Sequence, residues 1–139
     1  MKRSVLVLVL VMATMALTTA CQNKKGPGTA TGLKRVHFDF DRASIRPDMV
    51  AVLDSNAAYL KKSSKLNIVV EGHCDERGTN EYNLALGDRR AEITKDYLIK
   101  QGVSSKRLKT VSFGEEQPVE KGHGEAAWYL NRRAEFVKQ

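Results

Sequence analysis

The side chains best suited to chemistry lie within residues 71–98, EGHCDERGTNEYNLALGDRRAEITKDYL. Asp75 and Arg77 stand two residues apart in a polar loop, and Arg90 follows in a segment with helical periodicity. One carboxylate and two guanidinium groups therefore converge at a junction of strand, loop and helix. This charge pattern suits a zwitterionic ligand, because each charge of the ligand meets a group of the opposite sign.

Three consecutive elements must position these groups. Residues 67–70, Asn-Ile-Val-Val, predict a buried strand. Thr79 is predicted to be the N-cap of a helix of roughly twenty residues, because its hydroxyl can accept hydrogen bonds from the free amides of the first turn. Tyr82, Leu86 and Arg90 are four residues apart and share one face of this helix, which begins beside the loop.

Each of these residues also has a purely structural interpretation. Asp75 and Arg90 can form an ion pair that joins the loop to the helix, and the residues alone favour neither interpretation over the other. Surface arginines are common, so Arg77 and Arg132 have the same alternative. Tyr82 is expected to contribute helix packing rather than a stacking platform.

Length and charge limit the possible classes of protein. A chain of 139 residues fits one domain with a hydrophobic core. Its net charge is +7, and loss of Lys2 and Arg3 with a leader leaves 21 basic against 16 acidic side chains, or +5. No cluster of Lys and Arg is interleaved with aromatic residues, as a nucleic-acid stacking surface requires. We predict a solvated basic surface and no nucleic-acid partner.

No catalytic or metal-binding motif is present. His73, Asp75 and Glu76 are close in sequence, but H-E-x-x-H and paired-cysteine spacings are missing. The chain also contains no G-x-S-x-G and no glycine-rich phosphate loop, and Cys74 is expected to face inward. We predict no catalytic residues, no metal and no cofactor. The rejected alternative is a metal-dependent cell-wall hydrolase.

Residues 1–20 are typical of a secretory signal peptide. A positive start at Met1–Arg3 precedes an apolar run of 13 residues, Val5–Leu17. This run is too short to cross a hydrocarbon core of about 30 Å. Thr18-Thr19-Ala20-Cys21 resembles a lipobox, with Thr18 in place of the usual leucine, so Cys21 is predicted to carry the lipid. The alternative is an ordinary cleavage site followed by an incidental cysteine.

Residues 21–32 are predicted to be the lipidated cysteine and a flexible tether, because QNKKGPGTATG has no apolar periodicity. These residues reach at most about 36–40 Å when extended. With Cys21 lipidated, Cys74 has no partner for a disulfide. Strand alternation points Cys74 inward, which predicts a buried, inert thiol.

Residues 33–139 alternate strands and helices, which predicts an α/β (α+β sandwich) fold with helices packed on one sheet. Strands are predicted at 33–40, 65–73, 108–113 and 133–138. Helices are predicted from a cap at Asp48 to Lys62, from Thr79 to a C-terminal glycine at Gly102, and at 125–130.

The same region carries a resemblance to a known family. The pattern G-H-x-D-E-R-G-T-x-E-Y-N-x-x-L-G-x-R-R-A, followed by Asn131-Arg132-Arg133-Ala134, resembles the OmpA C-terminal-like peptidoglycan-binding domain. The resemblance extends from about Val36 to the C-terminus, and its motifs are long and in the same order. It implies a β-α-β-α-β-α-β fold with one mixed sheet packed by helices.

The resemblance also implies a ligand, the peptide stem of peptidoglycan centred on meso-diaminopimelate, whose side chain ends in an ammonium and a carboxylate. Asp75 matches the family aspartate that takes the ammonium. Arg90 matches the arginine that holds the carboxylate, which a planar guanidinium can grip bidentately. The other positions that line the family pocket are Phe40, Asp41, Arg77 and Leu86, and a supporting role is expected for Asn131 and Arg132.

Location and partners follow from the same resemblance. Gln22 after the lipidated Cys21 favours export to the outer membrane, with the domain in the periplasm. Lipoproteins of this kind also engage the Tol system, notably the periplasmic TolB protein, and hold the outer membrane to the wall during division. The alternative is an adaptor for Tol partners in which wall binding is secondary.

Overall fold

The structure has the element order that the sequence predicts. The computed structural model describes residues 32–139, so the predicted signal peptide (1–20), Cys21 and the tether at 22–31 lie outside the described residues. The elements are β1 Val36–His37, α1 Val50–Lys62, β2 Ile68–His73, α2 Asn80–Lys100, β3 Leu108–Gly114, α3 Glu125–Asn131 and β4 Arg133–Lys138. The predicted β-α-β-α-β-α-β arrangement is confirmed.

The four strands form one mixed sheet in the order β1-β4-β2-β3. β2 and β3 are parallel, with Ile68 opposite Leu108. β4 runs antiparallel to both β2 and β1, and Lys138 also lies opposite Ile68. The sheet therefore has two distinct ends, one at Ile68 and one where β2 ends at His73.

The core lies between the sheet and helices α1 and α2. Alternate strand residues such as Val70 and Phe136 point to the helices and are at most 1% exposed. The helices meet them with buried apolar side chains, namely Leu53, Ala57, Leu60, Ala91 and Leu98. α2 lies against β2 at two glycines, since a Cβ added at Gly72 would stand 1.8 Å from the carbonyl oxygen of Gly87.

The ends of α2 match the sequence prediction. The Thr79 hydroxyl accepts a hydrogen bond of 3.2 Å from the Tyr82 amide, as a helix N-cap should. At the other end, the residue after the C-cap is Gly102, with φ of +95°, a conformation that glycine adopts without a steric penalty. The helix that carries Arg90 therefore begins after Thr79 and ends before Gly102, as predicted.

Several predicted boundaries were wrong. β1 covers only Val36–His37 rather than residues 33–40, because the chain turns away at Asp41, whose φ is +54°. Phe40 is consequently 53% exposed. Asp48 does not cap α1. It lies in a 3₁₀ turn, Pro47–Met49, and its carboxylate accepts 2.9 and 3.0 Å hydrogen bonds from Arg46.

The second face of the sheet carries polar residues that are nevertheless buried. Arg133 and Glu135 are 4% and 3% exposed, and the Glu135 carboxylate accepts from Arg133 Nε at 2.8 Å and from Arg35 Nη2 at 2.7 Å. His73 is also on this face and stacks on Phe113. Among residues 32–139, no helix has the length and apolar character needed to cross a membrane.

Candidate functional site

A cleft of about 200 Å³ opens beyond the end of β2, between the loop after that strand, the first half of α2 and the turn at residues 39–42. Its lining contains all six residues for which the sequence predicted ligand contact. The lining residues are Phe40, Asp41, Cys74, Asp75, Arg77, Gly78, Tyr82, Asn83, Leu86 and Arg90. The chain has therefore brought together residues that are up to fifty positions apart.

Asp75 is the buried carboxylate of the cleft, only 3% exposed, whereas Asp41 is exposed at the mouth. Arg77 binds Asp75 with both ends of its guanidinium, Nη2 at 2.8 Å and Nε at 3.2 Å, and Arg132 Nη1 approaches to 3.3 Å. Burial alone would raise the pKa of the Asp75 carboxyl, but the hydrogen bonds from Arg77 and Arg132 outweigh it and hold that pKa below its usual value. The carboxylate is therefore ionised and already paired.

Arg90 does not pair with Asp75. Its guanidinium is 1% exposed and donates to three backbone carbonyl oxygens and to the Cys74 sulfur. The three carbonyls belong to Arg42 (2.8 Å), His73 (2.8 Å) and Asp39 (3.0 Å). The structural ion pair considered from the sequence is therefore absent from the described residues, and Arg90 instead joins the turn at 39–42 to the end of β2.

These bonds limit what Arg90 can offer a ligand. A guanidinium has five N–H groups, and four of them are used, which leaves one N–H on Nη2. The bidentate grip predicted from the sequence is thus not available while the present bonds hold. However, no carboxylate among residues 32–139 forms a salt bridge with this buried cation, and buried charges are normally paired. An anionic group at this point would supply the missing counter-charge.

Arg77 forms the outer wall of the cleft between two aromatic rings. Its guanidinium carbon lies 3.8 Å from the centre of the Phe40 ring and 4.0 Å from that of Trp128. Such stacking favours a guanidinium over an ammonium, and it explains why Phe40 is held at the rim although it is half exposed. Sequence reasoning missed Trp128, although it stands four residues before Arg132, the residue that follows α3 and whose amide donates to the Trp128 carbonyl oxygen.

Tyr82 is part of the cleft rather than helix packing, so that prediction was wrong. Its ring is 47% exposed, and its hydroxyl donates to the carboxylate of Asp41 across the mouth of the cleft. The spacing of Tyr82, Leu86 and Arg90 was the available signal, because all three line the cleft from one face of α2.

Two buried polar side chains hold the loop that carries Asp75. The Asn83 amide donates to the carbonyl oxygens of Asp75 (3.3 Å) and Arg77 (3.1 Å) and to the Glu115 carboxylate (2.8 Å). The Cys74 thiol donates to the Asn83 carbonyl, and burial raises its pKa to about 11. The inward placement predicted for Cys74 is confirmed, and the raised pKa is in line with the inert thiol that the sequence predicts.

The second motif supports the cleft from behind. Arg132 donates to the Phe38 carbonyl oxygen at 3.0 Å and also contacts the carboxylates of Asp75 and Glu125. Asn131 contacts no cleft residue. Its amide instead holds the loop at 115–124, through bonds of 2.7 to 3.0 Å with the backbone of Val119 and Glu120. Arg132 thus contacts a cleft residue directly, whereas a supporting role of Asn131 at the cleft stays a prediction.

The histidines do not assemble into a metal centre within residues 32–139, where no group of three potential ligands was found. His123 lies at the surface and meets Glu76 at 2.8 Å, while the Trp128 indole donates to the same carboxylate at 2.8 Å. His73 points to the other face of the sheet, away from Asp75.

Chemically, the cleft offers a fixed carboxylate and a buried guanidinium on adjacent walls. A small zwitterionic group suits it, with its ammonium at Asp75 and its carboxylate at the remaining N–H of Arg90. Arg77 now occupies the side of Asp75 that such an ammonium would approach. A bound ammonium must therefore displace Arg77 or share the carboxylate with it.

Comparison with known proteins agrees with this fold. A model of the OmpA family matches residues 37–132. The periplasmic C-terminal domain of Helicobacter pylori MotB has the same fold, with a TM-score of 0.72 over 78% of this chain and 85% of that one at 23% identity. The chain belongs to the OmpA family.

Three other proteins are more similar to this chain. The chain is 41% identical to the peptidoglycan-associated lipoprotein of Rhizobium meliloti, over 94% of this chain and 86% of that one. It is 52% identical to the corresponding protein of Haemophilus influenzae over 71% of this chain, an alignment that spans 65% of that relative. The crystal structure of the Burkholderia pseudomallei protein is 46% identical, with a TM-score of 0.73 over 76% of this chain and 90% of that one. Within the OmpA family, the chain therefore belongs to the peptidoglycan-associated lipoproteins.

Proposed function

We propose that this protein is a lipid-anchored outer-membrane protein that binds peptidoglycan non-covalently through the cleft and catalyses no reaction. The relatives named above are called peptidoglycan-associated lipoproteins, which supports the class of ligand. The cleft supports the mode of binding, because its charges are arranged for a group that carries an ammonium and a carboxylate together.

One observation carries the proposal. Arg90 is a buried cation that forms no salt bridge within residues 32–139, and it lines the same small cleft as the buried anion Asp75. The side chain of meso-diaminopimelate ends in an ammonium and a carboxylate on one carbon, so it matches both groups at once. A stem peptide that ends in lysine has the ammonium but lacks that carboxylate.

Arg77 is proposed to hold Asp75 in the absence of ligand. Its guanidinium occupies the carboxylate through two hydrogen bonds and is steadied by Phe40 and Trp128. This arrangement keeps the buried Asp75 paired, since an unpaired buried carboxylate is costly. Phe40, Asp41 and Leu86 then act as walls that admit a narrow side chain.

The test is a calorimetric titration of residues 22–139 with stem peptides that contain either meso-diaminopimelate or lysine. The fragment contains the whole described core and covers 90% of the crystallised relative, so it is expected to fold independently. We expect binding of the diaminopimelate peptide and at least about tenfold weaker binding of the lysine peptide.

Asp75→Asn gives the sharpest variant, because it keeps the shape of the side chain and removes its charge. We expect it to abolish peptide binding, while Asp88→Asn, an exposed position on α2 outside the cleft, retains the parental affinity. Equal affinities for both peptides, or an unchanged affinity in Asp75→Asn, would contradict the assignment of the cleft.

The absence of catalysis and the lipid anchor have separate tests. Incubation with purified cell walls should release no muropeptides, whereas a hydrolase would release them. Labelled palmitate should enter the full-length protein in a Gram-negative host and should not enter the Cys21→Ser variant. Labelling of that variant would place the lipid elsewhere.

We further propose that the protein works with the Tol system, including TolB, in envelope integrity and cell division. Family membership alone supports this assignment. If TolB binds Asp75→Asn with parental affinity while peptide binding is lost, the two activities use different surfaces. If wall peptides do not bind and TolB does, the adaptor function with secondary wall binding replaces the first proposal.

A further inference from the structure

The end of the domain opposite the cleft is strongly basic. Residues 55–70, 97–114 and 136–139 contain no aspartate or glutamate. The same segments contain eight basic residues, Lys61, Lys62, Lys65, Lys100, Lys106, Arg107, Lys109 and Lys138. These segments are therefore uniformly positive, because their basic residues are not offset by any acidic side chain within them.

The topology gathers these segments at one end of the sheet. α1 ends at Lys62 and leads into β2 at Ile68, and α2 ends at Lys100 and leads into β3 at Leu108. Because Ile68 lies opposite both Leu108 and Lys138, two helix ends and three strand ends meet there. The cleft lies at the other end of β2 and along the first half of α2, where its lining residues Tyr82 to Arg90 are roughly 15–27 Å from Lys100 along the helix axis.

We call this surface the basic end, defined by the seven lysines of that set, all of which are exposed. Arg107 differs, because it is half-buried and donates to the carbonyl oxygens of Leu60, Ser63 and Leu66. In residues 32–139 the one lysine in an ion pair is Lys95, which is outside the basic end.

Stabilisation of helix ends accounts for only part of this charge. Lys61, Lys62 and Lys100 lie in the last turns of α1 and α2, where a cation offsets the partial negative charge of the helix C-terminus. Lys65 lies in the turn after α1, Lys109 and Lys138 lie on strands, and Lys106 lies in the short 3₁₀ turn Ser105–Arg107, so none of these four is at the C-terminus of α1 or α2. Lys62, Lys65 and Lys138 line one shallow depression together with Tyr59 and Leu66.

The first described residues lie beside the half of α1 that ends at the basic end. The backbone amide of Lys34 donates to the Asn56 side chain at 2.9 Å, and the Lys34 carbonyl oxygen accepts from it at 2.8 Å. Gly32 lies against the ring of Tyr59. Going back along the chain from residue 34 to residue 32 therefore moves along α1 from Asn56 toward Lys62. A lipid attached at Cys21 would lie at most about 40 Å further on.

We infer that the basic end is a docking surface for a membrane that contains anionic phospholipids. Lysines near such a surface are attracted to the headgroup phosphates, and several together add up to measurable binding. Docked in this way, the domain directs its cleft away from the membrane and toward the wall. The orientation rests on the proposed lipid anchor at Cys21, whereas the affinity of the basic end for lipid does not.

The experiment uses the unlipidated fragment of residues 22–139 and cosedimentation with vesicles. One set contains phosphatidylethanolamine with phosphatidylglycerol, and the other contains phosphatidylcholine alone. We expect binding to the first set only, and weaker binding as salt is added. Lys62→Glu/Lys65→Glu should bind the anionic vesicles about tenfold more weakly or worse.

The control is Arg89→Glu/Lys121→Glu, which makes the same change in net charge outside the basic end and should keep most of the binding. Equal losses in the two double variants would show a non-specific effect of net charge and overturn the proposal, as would the absence of binding by the parent. Asp75→Asn should bind vesicles like the parent. A loss of peptide binding in the cleft can therefore be distinguished from a loss of vesicle binding by the basic end. Retention on purified peptidoglycan through the same two lysines, without vesicle binding, would assign the surface to the wall instead.

Discussion

Arg90 connects the fold and the cleft, and Arg90→Met tests both roles. Methionine matches the arginine side chain only as far as Nε and has no donor, so the variant leaves three carbonyl oxygens without their present partner. The bond to His73 is buried, and those to Asp39 and Arg42 are partly buried. One buried acceptor left unsatisfied costs about 1–3 kcal/mol, and each hydrogen bond at a wetter site contributes about 0.5–1.5 kcal/mol.

Two effects oppose each other in this variant. Loss of the bonds destabilises the fold, while removal of a buried cation without a salt bridge relieves part of the cost of burying that charge. We therefore expect a net loss of about 3 kcal/mol in the free energy of unfolding. For a domain of this size that loss lowers the melting temperature by roughly 10–20 °C.

Urea denaturation followed by circular dichroism measures the change, and the neighbouring variant Arg89→Met is the control. Arg89 is exposed on α2, so its substitution should change the free energy of unfolding by no more than about 0.5 kcal/mol. Peptide binding should be lost in Arg90→Met and kept in Arg89→Met. A destabilisation below about 1 kcal/mol in Arg90→Met would show that its hydrogen bonds do not hold the turn at 39–42.

Three other predictions concern packing, pH and ligand detection. Gly72→Ala places a methyl group 1.8 Å from the Gly87 carbonyl oxygen, so α2 must move away. We expect a loss of about 2–3 kcal/mol in urea denaturation, whereas Gly122→Ala, which meets no atom closer than 3.4 Å, should be nearly neutral. Equal stabilities of the two variants would show that α2 does not lie this close to β2 at Gly72. Burial lowers the pKa of His73 from 6.5 to about 3, so between these values the unfolded chain takes up a proton that the folded chain excludes. Neutral His73 therefore makes its full contribution to the free energy of unfolding above about pH 7, and that free energy falls by about 2 kcal/mol at pH 5. His73→Gln should flatten this dependence of stability on pH, and an unchanged dependence would contradict the lowered pKa of His73. Trp128 is the only tryptophan and stacks on the guanidinium that covers Asp75, so a peptide that displaces this guanidinium should change the fluorescence, and saturation without any change would show that it stays in place.

Local patterns predicted the elements well where the physical signal is local. Thr79 and Gly102 bound α2 as expected, because a hydroxyl cap and a left-handed glycine act on the residues next to them. β4 also has its predicted bounds. The boundary at Phe40 failed where the chain turns at Asp41, a turn that the distant Arg90 holds through the Asp39 carbonyl oxygen. The boundary at Asp48 failed for a local reason, because the carboxylate of Asp48 is bonded to Arg46 rather than to the first turn of α1.

The cleft was predicted in composition but not in connectivity. The shared face of Tyr82, Leu86 and Arg90 follows from helix geometry, and the family motif adds Asp75 and Phe40. Neither helix geometry nor the family motif predicted which charged groups of the cleft pair with one another. The ion pair of Asp75 and Arg90 that the sequence left open as an alternative does not form; Asp75 pairs with Arg77 and Arg132, and Arg90 bonds to backbone carbonyls.

There is a physical reason why the sequence predicts which residues share a face but not which residues pair across elements. The order of charges, caps and apolar positions along the chain determines which residues share a strand face or a helix face. Partners across elements depend on how closely those elements pack. Here the contact of Gly72 with Gly87 brings α2 onto β2, and α3 delivers Trp128 and Arg132 to a loop more than fifty residues earlier. Only the folded chain decides these distances, and they determine whether each charge in the cleft is already paired or left to meet a ligand.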